Sequence, residues 1–233
     1  MRKAMNIAKP SVGTRILQRR LYLKAKRAER YRFYSLYDKI SRRDILHRAY
    51  ELVRQNDGSP GIDGRTFSQI EREEGTAGFI DQIKEELEAK VYQTQPVKRV
   101  YIPKGNGEQR PLGIPTIKDR VVQMAAKLVV EPIFEADFTD SSYGYRPKRH
   151  AHQAVDAITE AMRYGHTQVI DADLSKYFDT IPHDKLMRTI AERISDGAVL
   201  ALIKQWLKAP IIEGSKASSS YKVCRFIYCL SKI

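Results

Sequence analysis

Three aspartates lie within a short apolar and aromatic stretch, VIDADLSKYFDTI, at residues 169–181. Side chains alternate across a strand, so Asp171 and Asp173 are predicted to share one face of a strand formed by TQVIDADLS. Two carboxylates side by side in an apolar setting need a cation or a proton to offset their repulsion and desolvation. Mg²⁺ is the natural cation, because it prefers oxygen ligands and commonly takes the remaining ones from substrate phosphates.

Three interpretations of these carboxylates compete. In the first, one aspartate caps the following turn and the others face water. In the second, the stretch is the nucleophile strand of a haloacid-dehalogenase-type phosphatase, with Asp171 as nucleophile and Asp173 as general acid. That class also needs an acidic pair downstream, and no two adjacent acidic residues follow Asp173. In the third, the stretch is the first motif of a polymerase palm, where a strand aspartate is followed five residues later by an aromatic, here Phe178.

Positive charge is concentrated at the start of the chain. The 233 residues carry a formal net charge of +13, and residues 1–50 hold 15 Lys/Arg against 3 Asp/Glu. A basic segment attached to a nearly neutral body predicts a partner with a phosphate backbone. The alternative is a solvated, partly disordered arm. An anionic membrane surface is disfavoured, because arginines interrupt every face of residues 15–37.

Periodicity and turn chemistry predict the elements that position these residues. The stretch VKRVYIPKGNGEQRPLGIP at 97–115 predicts a hairpin, because its Gly-Asn-Gly tip adopts positive φ at low cost. A strand is predicted around the aspartates, and two short helices after it, HDKLMRTIAERI and GAVLALIKQWLKA. This order predicts an α+β fold that is helix-rich with a small antiparallel sheet. The other helices are predicted from residue 45 to 53, 77 to 91, 117 to 135 and 151 to 165.

Several protein classes are disfavoured by what the sequence lacks. No apolar run of about 18 residues occurs, so no transmembrane helix is expected. The N-terminus lacks the apolar core of a secretory signal. Cys224 and Cys229 do not have the usual spacing of zinc ligands, and a reducing compartment is the default expectation. The expected location is the bacterial cytoplasm, with an organelle as the alternative because the N-terminus is basic and acid-poor.

Four segments, in chain order, resemble the bacterial and organellar group II intron-encoded reverse transcriptase/maturases. The N-terminal extension block of that family, with its PGIDG signature, is similar to LYDKISRRDILHRAYELVRQNDGSPGIDG. The fingers are similar to KRVYIPKGNGEQRPLGIPTIKDRVVQMAAKLVVEPIFEADF, and the next block to DSSYGYRPKRHAHQAV. The first palm motif is similar to VIDADLSKYFDTIPHDKL. The resemblance covers roughly residues 34–213 and implies a reverse-transcriptase fingers and palm fold.

The resemblance implies a role for each matching residue of the polymerase site. Asp173 is the expected catalytic and metal-binding aspartate, with Mg²⁺ as the expected cofactor. Phe178 is the expected steric gate, placed where the 2′-hydroxyl of an incoming ribose would lie. Lys104 and Arg110 are expected to hold the triphosphate of the dNTP, since phosphoryl transfer depends on positioning and charge neutralisation.

Residues expected to bind nucleic acid lie in two basic segments. The first holds Arg146, Lys148 and Arg149 beside Tyr143 and Tyr145, and is suited to a template-primer backbone with stacking on the aromatics. The second segment is the basic arm, with Arg19, Arg20, Lys24, Lys26 and Arg27.

The expected partners are group II intron RNA, a template-primer and a dNTP, with no membrane. The sequence does not predict the oligomeric state.

One departure from the family pattern predicts a truncated palm. The family site uses two further aspartates, usually in Tyr-Ala-Asp-Asp, to complete a two-metal centre, and no Asp-Asp pair occurs in these 233 residues. The chain is therefore expected to be inactive alone, and the alternative is a non-catalytic intron-RNA-binding fragment. The predicted domains are a basic N-terminal arm (1–33), the N-terminal extension with the helical part of the fingers (34–96), the fingers (97–165), a partial palm (166–213) and an atypical C-terminal tail (214–233).

Overall fold

The structure is a computed structural model that describes residues 11–103, 105, 107–173, 180–214 and 216–218. Helices dominate this part of the chain, and the strands form one small sheet. The helices are α1 (Val12–Arg27), α2 (Tyr37–Ile40), α3 (Arg43–Gln55), α4 (Phe67–Glu73), α5 (Gly75–Glu88), α6 (Ile117–Glu135), α7 (Ala151–Arg163), α8 (His183–Arg193) and α9 (Gly197–Leu207). The strands are β1 (Val97–Pro103), β2 (Gln109–Ile114), β3 (Ile211–Glu213) and β4 (Lys216–Ser218).

Helix α6 is the centre of the helical core. Its bounds are those predicted from periodicity, and it begins where the Thr116 hydroxyl accepts a hydrogen bond from the Asp119 N–H at 3.1 Å. Its buried residues include Val121, Val122, Ala125, Val129 and Val130, which cover a broad face of the helix. A broad apolar face is typical of a helix that packs against several neighbours. Helices α1 and α3 both pack against α6.

The basic N-terminal segment is a packed helix from residue 12 onward. Helix α1 buries four residues that recur at helical spacing, and the Ser11 hydroxyl caps its N-terminus. The Gln18 amide donates to the Leu128 carbonyl at 3.0 Å, and the Lys26 ammonium donates to the Ala136 carbonyl at 3.1 Å. The alternative of a solvated, partly disordered arm is therefore wrong for α1. The buried residues are Thr14, Leu17, Leu21 and Ala25.

A buried arginine joins the end of α1 to α8. The Arg193 guanidinium donates to the carbonyls of Ala25 at 3.0 Å, of Ala28 at 3.2 Å and of Glu29. Its Nε lies 2.9 Å from the Asp137 carboxylate. A helix C-terminus leaves carbonyls without intrahelical partners, and Arg193 donates to one of these, the Ala25 carbonyl, in a buried hydrogen bond.

Replacing Arg193 with methionine is expected to destabilise the fold by about 3 kcal/mol, because the buried Ala25 carbonyl loses its donor and the Asp137 carboxylate loses its ion-pair partner. The free energy of unfolding in urea measures this loss. Arg188→Met is the matched control on the same helix. Its guanidinium is 73% exposed and pairs with Asp184 at 2.8 Å, so a loss of about 0.5 kcal/mol or less is expected. Equal losses in the two variants would contradict the assigned role of Arg193.

A buried carboxylate joins α6 to the segment before β1. Asp119 is fully buried and accepts hydrogen bonds from the Tyr92 hydroxyl at 2.6 Å, the Thr116 hydroxyl at 2.8 Å and the Gln95 N–H at 3.1 Å. The Trp206 indole of α9 donates to the Tyr92 oxygen at 3.2 Å. Burial raises the pKa of Asp119 above its ordinary value, and the donated hydrogen bonds oppose that rise. This network ties α9 to the helical core.

The predicted hairpin is confirmed, whereas the sheet it belongs to is mixed. Strands β1 and β2 pair antiparallel, with Lys98 opposite Ile114 and Ile102 opposite Arg110. Strand β3 joins the other edge of β1 in parallel, and β4 pairs antiparallel with β3. The expected helix-rich α+β fold with a small sheet is confirmed, and the sheet is mixed rather than antiparallel throughout, because β3 runs beside β1 in the same direction.

The strand predicted around the aspartates is not formed over residues 167–173, and its last two predicted residues lie outside the described part of the chain. Val169 and Ile170 are 79% and 95% exposed. A strand is stable when a neighbour pairs its backbone and one face is buried. Among the described residues this segment has neither. Helix α7, just before it, likewise exposes its apolar side chains, Val155, Ile158 and Met162.

No described helix is both long enough and apolar enough to cross a membrane.

Candidate nucleic-acid interface and carboxylate site

The two aspartates of the predicted metal site are both exposed. Asp171 and Asp173 lie in a segment without regular secondary structure that follows α7. Carboxylates are suitable ligands for a hard cation such as Mg²⁺, but the described residues contain no group of three or more acidic, histidine or cysteine side chains placed to hold a metal ion. The described donor set therefore does not amount to a metal site.

The residues predicted to hold a nucleotide are only partly described. Arg110 lies on β2 opposite Ile102, and both side chains are exposed. Lys104 at the hairpin tip and Phe178 lie outside the described residues. The structure therefore places Arg110 and Asp173 at the surface, and the assignment of the predicted nucleotide site stays a prediction.

Arg146 anchors the basic loop 138–150 rather than contacting solvent. Its side chain is 5% exposed, and its Nη2 lies 2.9 Å from the Glu135 carboxylate at the end of α6. Its Nη1 donates to the carbonyls of Thr139 at 2.6 Å and Ser142 at 2.7 Å. Arg146 was expected to contact the backbone of a template-primer, and that expectation is corrected here. Its donors point into the protein, and the side chain holds the loop together.

The anchored loop presents other side chains to solvent. Tyr145 and Lys148 have φ angles of 54° and 62°, which non-glycine residues adopt at a cost of roughly 1–3 kcal/mol each. Both side chains are exposed, so the loop displays an aromatic and a cation. Arg149 is partly engaged, with its guanidinium 3.1 Å from Asp140 and 5.5 Å from the ring centre of Tyr143. Of the three predicted cations, Lys148 is the most accessible to a phosphate backbone.

The cations predicted on the basic arm divide into two groups. Lys26 donates to the Ala136 carbonyl, and the Lys24 ammonium lies 4.3 Å from the centre of the Tyr31 ring. Arg19, Arg20 and Arg27 are exposed on the part of α1 that faces away from α6, and Arg15 is exposed beside them. We call these four arginines the outer arginines of α1. Exposed guanidinium groups suit phosphate recognition, because each presents a planar set of donors.

Sequence patterns missed two features of this surface. The helical spacing of Thr14, Leu17, Leu21 and Ala25 predicts a packed helix, but the density of arginines obscured it. The exposed Tyr34, which is 71% exposed just after α1, was also missed. The signal that could have identified Tyr34 is the alternation of aromatic residues with lysine and arginine, which is typical of single-strand binding surfaces.

Comparisons with known proteins point to one family. The model of the family described as "Reverse transcriptase (RNA-dependent DNA polymerase)" matches residues 102–226. Protein YkfC of Escherichia coli (strain K12) is 37% identical over 203 residues, which are 84% of this chain and 53% of that protein. The group II intron-encoded protein LtrA of Lactococcus lactis subsp. cremoris is 34% identical over 192 residues, which are 81% of this chain and 31% of LtrA.

A solved structure titled "Partial Cas6-RT-Cas1--Cas2 complex" is similar over 78% of this chain and 29% of its own, with 23% identity and a TM-score of 0.47. The chain spans 53% of the length of YkfC and 31% of that of LtrA.

Proposed function

This chain belongs to the group II intron-encoded reverse transcriptase/maturase family, and from that membership we propose that it forms the nucleotide- and RNA-binding part of an RNA-directed DNA polymerase. The observation that carries this proposal is the family match over residues 102–226, which includes the end of β1, strand β2, the 138–150 loop and Asp173. Binding of template-primer and of group II intron RNA belongs to the same proposal, as does the bacterial cytoplasm as the location.

The proposed site pairs cationic side chains with the anionic groups of the nucleotide. Lys104 and Arg110 neutralise the triphosphate of the dNTP, and Phe178 packs against its sugar. Asp173 would contribute one ligand to a divalent cation, with Mg²⁺ as the expected ion, and the cation would supply Lewis-acid chemistry there together with further ligands. The exposed Lys148 and Tyr145 of the anchored loop are placed on a preorganised backbone that suits a nucleic-acid strand.

The 233-residue chain alone is expected to show no primer extension with a primed RNA template, dNTPs and Mg²⁺. A two-metal centre needs carboxylates beyond Asp173, and the sequence contains no Asp-Asp pair. Denaturing gel analysis of a labelled primer measures the extension. The control is Asp173→Ala, which should give the same background. Sustained extension that is abolished in Asp173→Ala would contradict the expectation of an incomplete site.

A second candidate function is non-catalytic binding of intron RNA. It is favoured by the contrast between α1, which is packed and carries exposed arginines, and Asp173, which lies in a segment without regular secondary structure. Filter binding of the purified chain to a group II intron RNA, over a salt series, tests it. A chain that binds RNA but extends no primer supports this candidate, and a chain that binds no RNA excludes both functions.

A further inference from the structure

An exposed tyrosine, Tyr34, lies on a fixed backbone in the segment that joins the basic helix α1 to α2. We propose that Tyr34 is a stacking site for an unpaired base of single-stranded RNA, flanked by cations that hold the neighbouring phosphates. The inference rests on the proposed RNA binding and adds to it a ligand class, because it predicts a preference for single-stranded over duplex RNA.

The backbone on both sides of Tyr34 is fixed to the segment between α8 and α9. The Phe33 N–H donates to the Arg193 carbonyl at 2.8 Å, and the Phe33 carbonyl accepts from the Ser195 N–H at 2.8 Å. Two residues after Tyr34, the Leu36 N–H donates to the Asp196 carboxylate at 2.7 Å. Tyr34 is therefore held between two anchored residues, and little backbone entropy remains to be lost when a ligand binds.

The Tyr34 side chain nevertheless points to solvent. Phe33 and Leu36 are 6% and 0% exposed, whereas Tyr34 is 71% exposed. The neighbouring Tyr31 ring packs edge-on against Phe33 at 5.0 Å between centroids. The anchored backbone restricts where the Tyr34 side chain lies, which preorganises it for stacking.

The surroundings of Tyr34 are strongly basic. Residues 24–34 contain five Lys/Arg and one acid, Glu29, and the five cations are exposed. Arg30 and Arg32 lie on either side of Tyr31, and Lys24 is fixed over its ring at 4.3 Å. Proteins that bind single strands combine a basic track for the backbone with aromatic side chains on which bases stack. A single strand that crosses this segment can place phosphates near the cations and one base on Tyr34.

The test compares Tyr34→Ala with the intact chain on a single-stranded RNA that carries 2-aminopurine. Base stacking on an aromatic contributes about 1–3 kcal/mol, so affinity should fall by roughly 5- to 150-fold. The salt slope should stay unchanged, because no charge is removed. Tyr34→Phe should bind like the intact chain and quench 2-aminopurine to the same extent. Tyr164→Ala is the matched control, since that side chain is 77% exposed at the end of α7.

Three results would overturn the stacking site. One is an affinity of Tyr34→Ala equal to that of Tyr164→Ala. Another is an equal loss of affinity for single-stranded and duplex RNA, which indicates a role without stacking. The third is unchanged 2-aminopurine quenching in Tyr34→Ala. If the outer arginines of α1 still govern RNA affinity, each of these results removes the stacking site alone, whereas an intact chain that binds no RNA removes the proposed function with it.

Discussion

Replacing the outer arginines of α1 with glutamine is expected to weaken RNA binding by about 10³-fold at 0.1 M salt. Each phosphate contact contributes roughly 0.7 to 0.9 to the slope of log K against log salt, so losing four contacts should flatten the slope by about 3. A slope change of that size corresponds to about three orders of magnitude between 1 M and 0.1 M salt. Filter binding over a salt series measures both quantities. The four residues are Arg15, Arg19, Arg20 and Arg27, all exposed.

The control removes the same charge from other surfaces. Arg43, Arg72, Arg163 and Arg188 are exposed on α3, α4, α7 and α8, and their replacement with glutamine lowers the net charge equally. If binding depends only on net charge, the two quadruple variants should have equal slopes, and the α1 interface would lose its support. Substitution is a better test than deletion of residues 1–32, because deletion also removes Leu17, Leu21 and Ala25 from the core.

Asp119→Ala is expected to destabilise the fold by about 4 kcal/mol. The substitution leaves the Tyr92 hydroxyl, the Thr116 hydroxyl and the Gln95 N–H without their acceptor, and each unsatisfied buried donor costs roughly 1–3 kcal/mol. Urea unfolding measures the loss. The exposed Asp156 on α7 provides the control, since its replacement with alanine should change the free energy of unfolding by less than about 0.5 kcal/mol.

The raised pKa of Asp119 gives this effect a pH dependence. Because burial makes the pKa higher in the folded state, the folded protein binds the proton more tightly than the unfolded chain does. The contribution of Asp119 to stability is therefore fully present below its unfolded pKa and declines as pH rises through the raised pKa. The difference in unfolding free energy between the intact chain and Asp119→Ala should shrink from pH 4 to pH 7. A difference that grows over that range would contradict the raised pKa.

Much of the local structure could be predicted from the sequence, because it depends on contacts between residues close along the chain. The bounds of α6 follow from its apolar residues and the cap at Thr116, and the hairpin follows from the glycine-rich tip between β1 and β2. The family could also be predicted, since its motifs are short runs in a set order. These features need no knowledge of which element packs on which.

The tertiary structure decided which side chains are available for function. Arg146 and Arg19 carry the same charge in the sequence, yet the Arg146 guanidinium is enclosed by Glu135 and loop carbonyls, whereas Arg19 is exposed. The aspartate segment has the composition of a strand, but residues 167–173 are unpaired, because strand formation depends on a neighbour from elsewhere in the chain.

Tyr34 shows the same division. Its type and basic surroundings are evident in the sequence. Its fixed backbone is not, because that depends on hydrogen bonds to Arg193, Ser195 and Asp196, about 160 residues away. Sequence patterns report contacts within a helix or hairpin, whereas burial and anchoring depend on residues that only the folded chain brings together.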